Sequence, residues 1–129
     1  MIHFEHFNGN PPIAREAVRK LVLETKIGLP NEYVDFLEHF DGGEGFIGKS
    51  YIIFWRLNDL LKFNIAYKVS DYAPGLFLFG SDGGGEAFGF DTRSASKRVV
   101  SVPFVGMEWE AAREVAPNFS KFLEVIQQV

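Results

Sequence analysis

The chain has 129 residues, 47% of them apolar and 16% aromatic, with fourteen Phe and no Cys. That length fits one domain of ordinary size over residues 1–129, the apolar share excludes a disordered chain, and the missing cysteine excludes disulfides and thiolate chemistry. The net charge of −4 argues against generic nucleic-acid binding, which needs clustered Lys and Arg.

In chain order, a first helix is expected to open at Asn10-Pro11-Pro12. Asn is a good N-cap, and Pro is tolerated in a first turn whose backbone donors lack partners anyway. Apolar pairs recur at Ile13/Ala14, Ala17/Val18 and Leu21/Val22, opposite Arg15, Glu16, Arg19 and Lys20. Gly28 marks the expected stop. A second helix starts at Pro30, with Tyr33, Phe36, Leu37 and Phe40 at i, i+3, i+4 and i+7 on one buried stripe. Gly42-Gly43 supplies its left-handed end.

Tyr51 to Trp55 reads as a buried strand. Asn58 or its neighbourhood caps a short third helix whose apolar side is Leu60, Leu61 and Ile65. Tyr72-Ala73-Pro74-Gly75 is a turn. Leu76–Phe79 and Ala87–Phe90 form a hairpin whose tip is Gly80 to Gly85. Val99–Phe104 is a further strand. Pro117-Asn118 opens the last helix, with Phe119, Phe122, Leu123 and Ile126 as its apolar stripe. This order predicts an α+β fold, a mainly antiparallel sheet with helices at both ends of the chain packed against it.

No window reaches the roughly 18 apolar residues of a membrane span. The start, Met1 to Glu5, lacks the basic and apolar regions of a signal peptide, so the expected location is the cytosol, with no membrane partner.

Charge is unevenly placed. Ile27–Gly48 holds five acids and Val69–Thr92 holds four, with no Lys or Arg in either. The two windows carry −9, so the rest of the chain carries +5. An acidic surface attracts a basic protein.

Three stretches together resemble the SUKH superfamily, named in part for a yeast cell-wall assembly regulator. They are Leu29-Pro30-x-x-Tyr33-x-x-Phe36-Leu37 with Asp41-Gly42-Gly43, then Gly80-Ser81-Asp82-Gly83-Gly84-Gly85-Glu86 with Phe88, Phe90 and Asp91, and Asn118-Phe119-x-x-Phe122-Leu123. The resemblance spans about Ile13 to Val129. It implies an α+β fold without a catalytic site. It also implies kinship with bacterial immunity proteins, which bind and neutralise a toxin, and with eukaryotic scaffolds of signalling and cell-wall regulation.

Several patterns invite a chemical reading. The glycine loop does not fit a phosphate cradle, because Glu86 stands where a Lys would help and a strand follows where a helix is needed. The glycines permit positive φ at a hairpin tip, and Asp82 is suited to bonding the backbone N–H two residues on. Asp82, Glu86 and Asp91 offer carboxylates for a metal or an acid/base pair, but without EF-hand spacing. His3 and His6 lack a second pair to complete a zinc site. Seven serines, from Ser50 to Ser120, lack a nucleophile elbow. No cofactor, metal or catalytic residue is therefore assigned.

The expected function is protein binding, as an immunity protein facing a basic toxin domain. Glu32, Asp35, Asp41, Glu44, Asp82, Glu86 and Asp91 would steer the encounter, and Met107 and Trp109 would anchor it. A loop folded over the sheet edge is the competing reading of Met107 and Trp109. A regulatory scaffold, or a metal-dependent enzyme using the acids of residues 80–91, are the alternative functions.

Overall fold

In the computed structural model, which describes residues 5–128, seven strands lie in chain order across one sheet. They are β1 (His6–Gly9), β2 (Gly43–Ile47), β3 (Ser50–Phe54), β4 (Leu76–Ser81), β5 (Glu86–Asp91), β6 (Val99–Pro103) and β7 (Arg113–Ala116). Every neighbouring pair is antiparallel. Helices α1 (Arg15–Thr25) and α2 (Asn31–His39) lie between β1 and β2 in the chain. Helices α3 (Leu57–Ala66) and α4 (Val69–Tyr72) lie between β3 and β4, and α5 (Phe119–Gln127) closes the chain. The fold is α+β, as the order of elements foretold.

The aromatic residues sort onto the two faces of the sheet. On one face, Tyr33 and Phe36 of α2 and Phe119 and Phe122 of α5 meet Phe54, Phe79 and Phe90 of the strands. Phe79 is the hub, with ring centroids 4.8 Å from Phe90, 5.5 Å from Tyr33 and Phe122, and 5.7 Å from Phe119. A β-bulge puts it there: Leu78 pairs with Gly89 and Gly80 with Phe88, so Phe79 is the extra residue. On the other face, Trp55, Phe63, Tyr67 and Phe104 form a second aromatic cluster. There α3 and α4 pack against β4.

Several boundaries depart from the sequence reading. Asn10 does not cap α1, whose N-cap is Ala14 without a side-chain bond. Asn10 instead clamps the 41–42 segment: its side chain donates to the Asp41 carbonyl (2.9 Å) and its backbone N–H to the Gly42 carbonyl (3.0 Å). The Asp41 N–H also donates to the Asn10 carbonyl (3.3 Å), and these three contacts to one segment outweigh a single local cap. Helix α1 ends at Lys26, which takes the left-handed conformation itself (φ 56°), before Gly28 is reached. Its buried stripe narrows to Val18, with Ala14 and Ala17 exposed.

Helix α3 begins after Arg56 with no side-chain cap from its own neighbourhood, so Asn58 has no capping role. Ile65, assigned to the apolar side, is 75% exposed. The stripes of α2 and α5 hold: Tyr33, Phe36, Leu37, Phe119, Phe122 and Ile126 are buried. Asn118 caps α5 by accepting the Lys121 N–H at 2.9 Å.

Candidate binding surface

The seven acids singled out in the sequence have different fates. The backbone at Asp41 leaves α2 and turns its carboxylate toward α3, where Oδ1 accepts the Leu57 N–H at 2.8 Å in a buried position. An acid just past the C-terminus of one helix therefore sits at the N-terminus of another, where the dipole favours it. This remote residue is the cap that α3 lacks locally. Asp41 is consequently a structural group and not a steering charge.

Asp91 is 3% exposed and bound from two directions. Arg93 donates from Nε to Oδ1 (3.0 Å) and from Nη2 to Oδ2 (3.1 Å), and Arg98 donates from Nε to Oδ2 (3.0 Å). Burial alone would raise the Asp91 pKa, but the Arg93 and Arg98 hydrogen bonds outweigh it and hold the carboxyl below its usual range. Asp91 too is removed from any contact surface. Asp82 behaves as its turn chemistry requires: Oδ1 accepts the N–H groups of Gly84 (2.7 Å) and Glu86 (3.1 Å), which closes the hairpin tip. Gly83 and Gly85 supply the positive φ values, 77° and 112°.

Met107 is 5% exposed and belongs to the core, so it is not an exposed anchor. Trp109 folds over the sheet edge: its Nε1 donates to the Pro74 carbonyl at 2.8 Å, and the Arg93 guanidinium lies 3.5 Å over its ring. The Asp91–Arg93–Trp109–Pro74 chain thus ties three segments together. The short Phe104–Ala112 connection is a strap.

The accessible acids divide between the faces. Phe7 of β1 meets Phe36 and Phe40, so it points toward α2. Side chains alternate along a strand, so His6 and Asn8 point away from α2. Register then places Phe46 beside His6, Glu44 beside Asn8, Tyr51 beside Phe46 and Ile53 beside Glu44. Glu44 therefore lies on the face opposite α2, which carries Glu32 and Asp35 exposed on its outer side. Glu86 alternates with Phe88 and Phe90, whose rings meet Phe122 and Tyr33, so it belongs with the α2 side. The first acidic window is split by the sheet itself.

The face bearing Glu44 has its own geometry. Phe46 (49% exposed) and Tyr51 (36% exposed) meet edge to face, with centroids 5.2 Å apart. The Tyr51 hydroxyl donates to Glu44 Oε2. That bond is the main reason the Tyr51 pKa is raised. β3 pairs with β4 only through Ile53 and Phe54, so Ser50 to Ile52 splay from the β4–β5 hairpin. A cleft of about 360 Å³ opens in that gap, with Tyr51 and Asp82 at its border and Phe88 and Ile126 lining it from the α5 side. A second, also about 360 Å³, lies beside Glu44, Ile53, Arg56, Asp59 and Phe63.

A family model described as the SMI1/KNR4 family (SUKH-1) matches residues 12–125. The chain belongs to the SUKH-1 family. No curated protein matches it at a significant level. In this SUKH-1 chain the three motifs that carried the resemblance are mainly architectural. Tyr33, Phe36 and Leu37 fill the core, Asp82 closes the tip, and Phe119 and Phe122 seat α5. No group of three or more potential metal ligands occurs among the described residues, where His6 is exposed. His3 lies outside the described residues. No helix among them is long and apolar enough to cross a membrane.

The residues that the sequence reading missed are Phe46 and Tyr51. Their signal was the alternation Glu44-Gly45-Phe46-Ile47, followed after the Gly48-Lys49 turn by Ser50-Tyr51. Glycines broke that alternation. At Gly45, φ is 146° and a Cβ would lie 2.3 Å from the His6 carbonyl oxygen, so β1 and β2 approach as closely as they do only with glycine there.

Proposed function

We propose that this SUKH-1 domain is a non-catalytic protein-binding module that neutralises a toxin by covering part of its surface. One observation carries the reading. The carboxylates with the most chemical potential in sequence, Asp41, Asp82 and Asp91, are all engaged in holding the fold. A general acid, general base or metal ligand needs a carboxylate free to face substrate. What stays accessible is the set that binding requires: Glu32, Asp35, Glu44 and Glu86 for steering, with exposed aromatic rings for a contact centre. Family membership supports the same reading, as does the net charge of −4, which suits a basic partner.

The test is co-expression with the product of a toxin gene adjoining this one in its source genome. Restored growth and an equimolar complex on gel filtration are the expected results. Growth arrest with no complex at low salt would overturn the proposal.

A further inference from the structure

We infer that the open face of β1–β3 is the contact surface, and that its occupant is a protein surface presenting an apolar side chain flanked by lysines or arginines. The choice of a protein occupant rests on the binding reading above. The choice of face and chemistry rests on geometry. The sheet carries α2 and α5 on one side, while α3, α4 and the Phe104–Ala112 strap serve the other side around β4. The β1–β3 end of that second side keeps two large aromatic side chains exposed on strands. Exposed aromatic neighbours on rigid backbone lose little entropy on binding, which is the character of a contact centre.

The rim supplies the charge. The Phe46–Tyr51–Ile53 ridge is flanked by the two clefts, one beside Asp82 and one beside Glu44 and Asp59. Tyr51 holds the Glu44 carboxylate in place, so that charge is fixed before any partner arrives. Arg56 lines the second cleft with Glu44 and Asp59, one cation against two acids, so that cleft stays net acidic. Asp82 is held by the hairpin-tip amides and Glu44 by Tyr51, but neither forms an ion pair among the described residues, so both leave negative charge at the border of the aromatic ridge. An apolar knob with a cation on each side complements this arrangement. A second copy of the chain does not, because a two-fold contact centred on this ridge would gather the Glu44 and Asp82 charges of both copies in one interface.

The experiment is a titration of the ¹⁵N-labelled chain with an acetylated, amidated peptide of alternating Lys and Leu at low salt, with the Gln-for-Lys peptide as control. Saturable amide shifts centred on Glu44 to Ile53 are expected with the Lys peptide alone. Phe46→Ala and Glu44→Gln should each weaken binding by on the order of tenfold. The double variant Glu32→Gln/Asp35→Asn should stay within about twofold, since its charges lie on the opposite side. Tyr51→Phe keeps the ring but frees Glu44, and should weaken binding without altering the rest of the spectrum.

Shifts centred on α2, equal binding of the Gln peptide, or indifference to Glu44→Gln would overturn the inference. So would a dimer of the chain alone, in sedimentation equilibrium, that Phe46→Ala dissolves. The peptide assay needs no toxin. Binding on this face without growth rescue overturns the immunity reading alone, and rescue with a peptide that ignores this face overturns this inference alone.

Discussion

At the scale of single residues, the strongest determinants are polar groups in apolar surroundings. Asp91 anchors Arg93 and Arg98, and its folded-state pKa lies below the unfolded value near 3.9. A depressed carboxyl stabilises the fold fully above the unfolded pKa, and that contribution disappears as pH falls through the folded one. Asp91→Asn should therefore cost about 2–3 kcal/mol near neutrality. Its gap from the parent should narrow below about pH 4, which urea midpoints measured across the acid range will show. Tyr33 is the opposite case. Its ring packs against Phe79, Phe90 and Phe119, its buried hydroxyl has no hydrogen-bond partner among the described residues, and burial pushes its pKa up. Tyr33→Phe removes an unsatisfied donor without changing shape, so it should stabilise by about 1 kcal/mol. A lower urea midpoint would instead reveal a partner for that hydroxyl.

At the scale of elements, long-range polar bonds finish what local propensity begins. β4 pairs with β3 only at Gly80 and Ser81, so the edge at Leu78 needs another partner. Asn64 of α3 provides it. Its amide nitrogen donates to the Leu78 carbonyl (2.9 Å) and its oxygen accepts the Leu78 N–H (2.9 Å), as a neighbouring strand would. Asn64→Leu leaves both buried backbone groups unpaired and should cost about 2–3 kcal/mol, with faster hydrogen exchange at Leu78. Bonds of this kind explain what was legible in the sequence. Helices α2 and α5, the β4–β5 hairpin and β6 were readable because periodicity and turn chemistry act locally. The start of α1 and the cap of α3 were not, because Asn10 and Asp41 act on partners 31 and 16 residues away. β1, β2 and β7 escaped notice because they are short, and β2 is diluted by glycine. The candidate site suffered most. Charge counting located the acids, but only pairing register reveals that Glu44 faces away from Glu32 and Asp35, and that Phe46 and Tyr51 stand beside it.

At the scale of the molecule, the sheet separates two aromatic assemblies, and the separation has an energetic consequence. Phe54, Phe79, Phe119 and Phe122 share ring contacts on the α2–α5 side, while Trp55, Phe63, Tyr67 and Phe104 share theirs on the other. No ring contact joins the two sets among the described residues. Packing energy is carried by atoms in contact, so losses within one set should be shared and losses across the sheet should be independent. Phe122→Ala removes a fully buried ring and should cost about 3–5 kcal/mol. Phe104 is half-buried, and Phe104→Ala should cost less, about 1–2 kcal/mol. The double variant should then equal the summed single losses to within about 0.5 kcal/mol. Phe79→Leu with Phe119→Leu, whose rings lie 5.7 Å apart, should depart from additivity by more than that, because the second truncation finds a cavity already opened by the first. Chemical denaturation of the two cycles decides the matter. Coupling across the sheet as large as coupling within one face would mean that the sheet transmits packing strain, and the β1–β3 face could then not be treated as a surface independent of the core behind it.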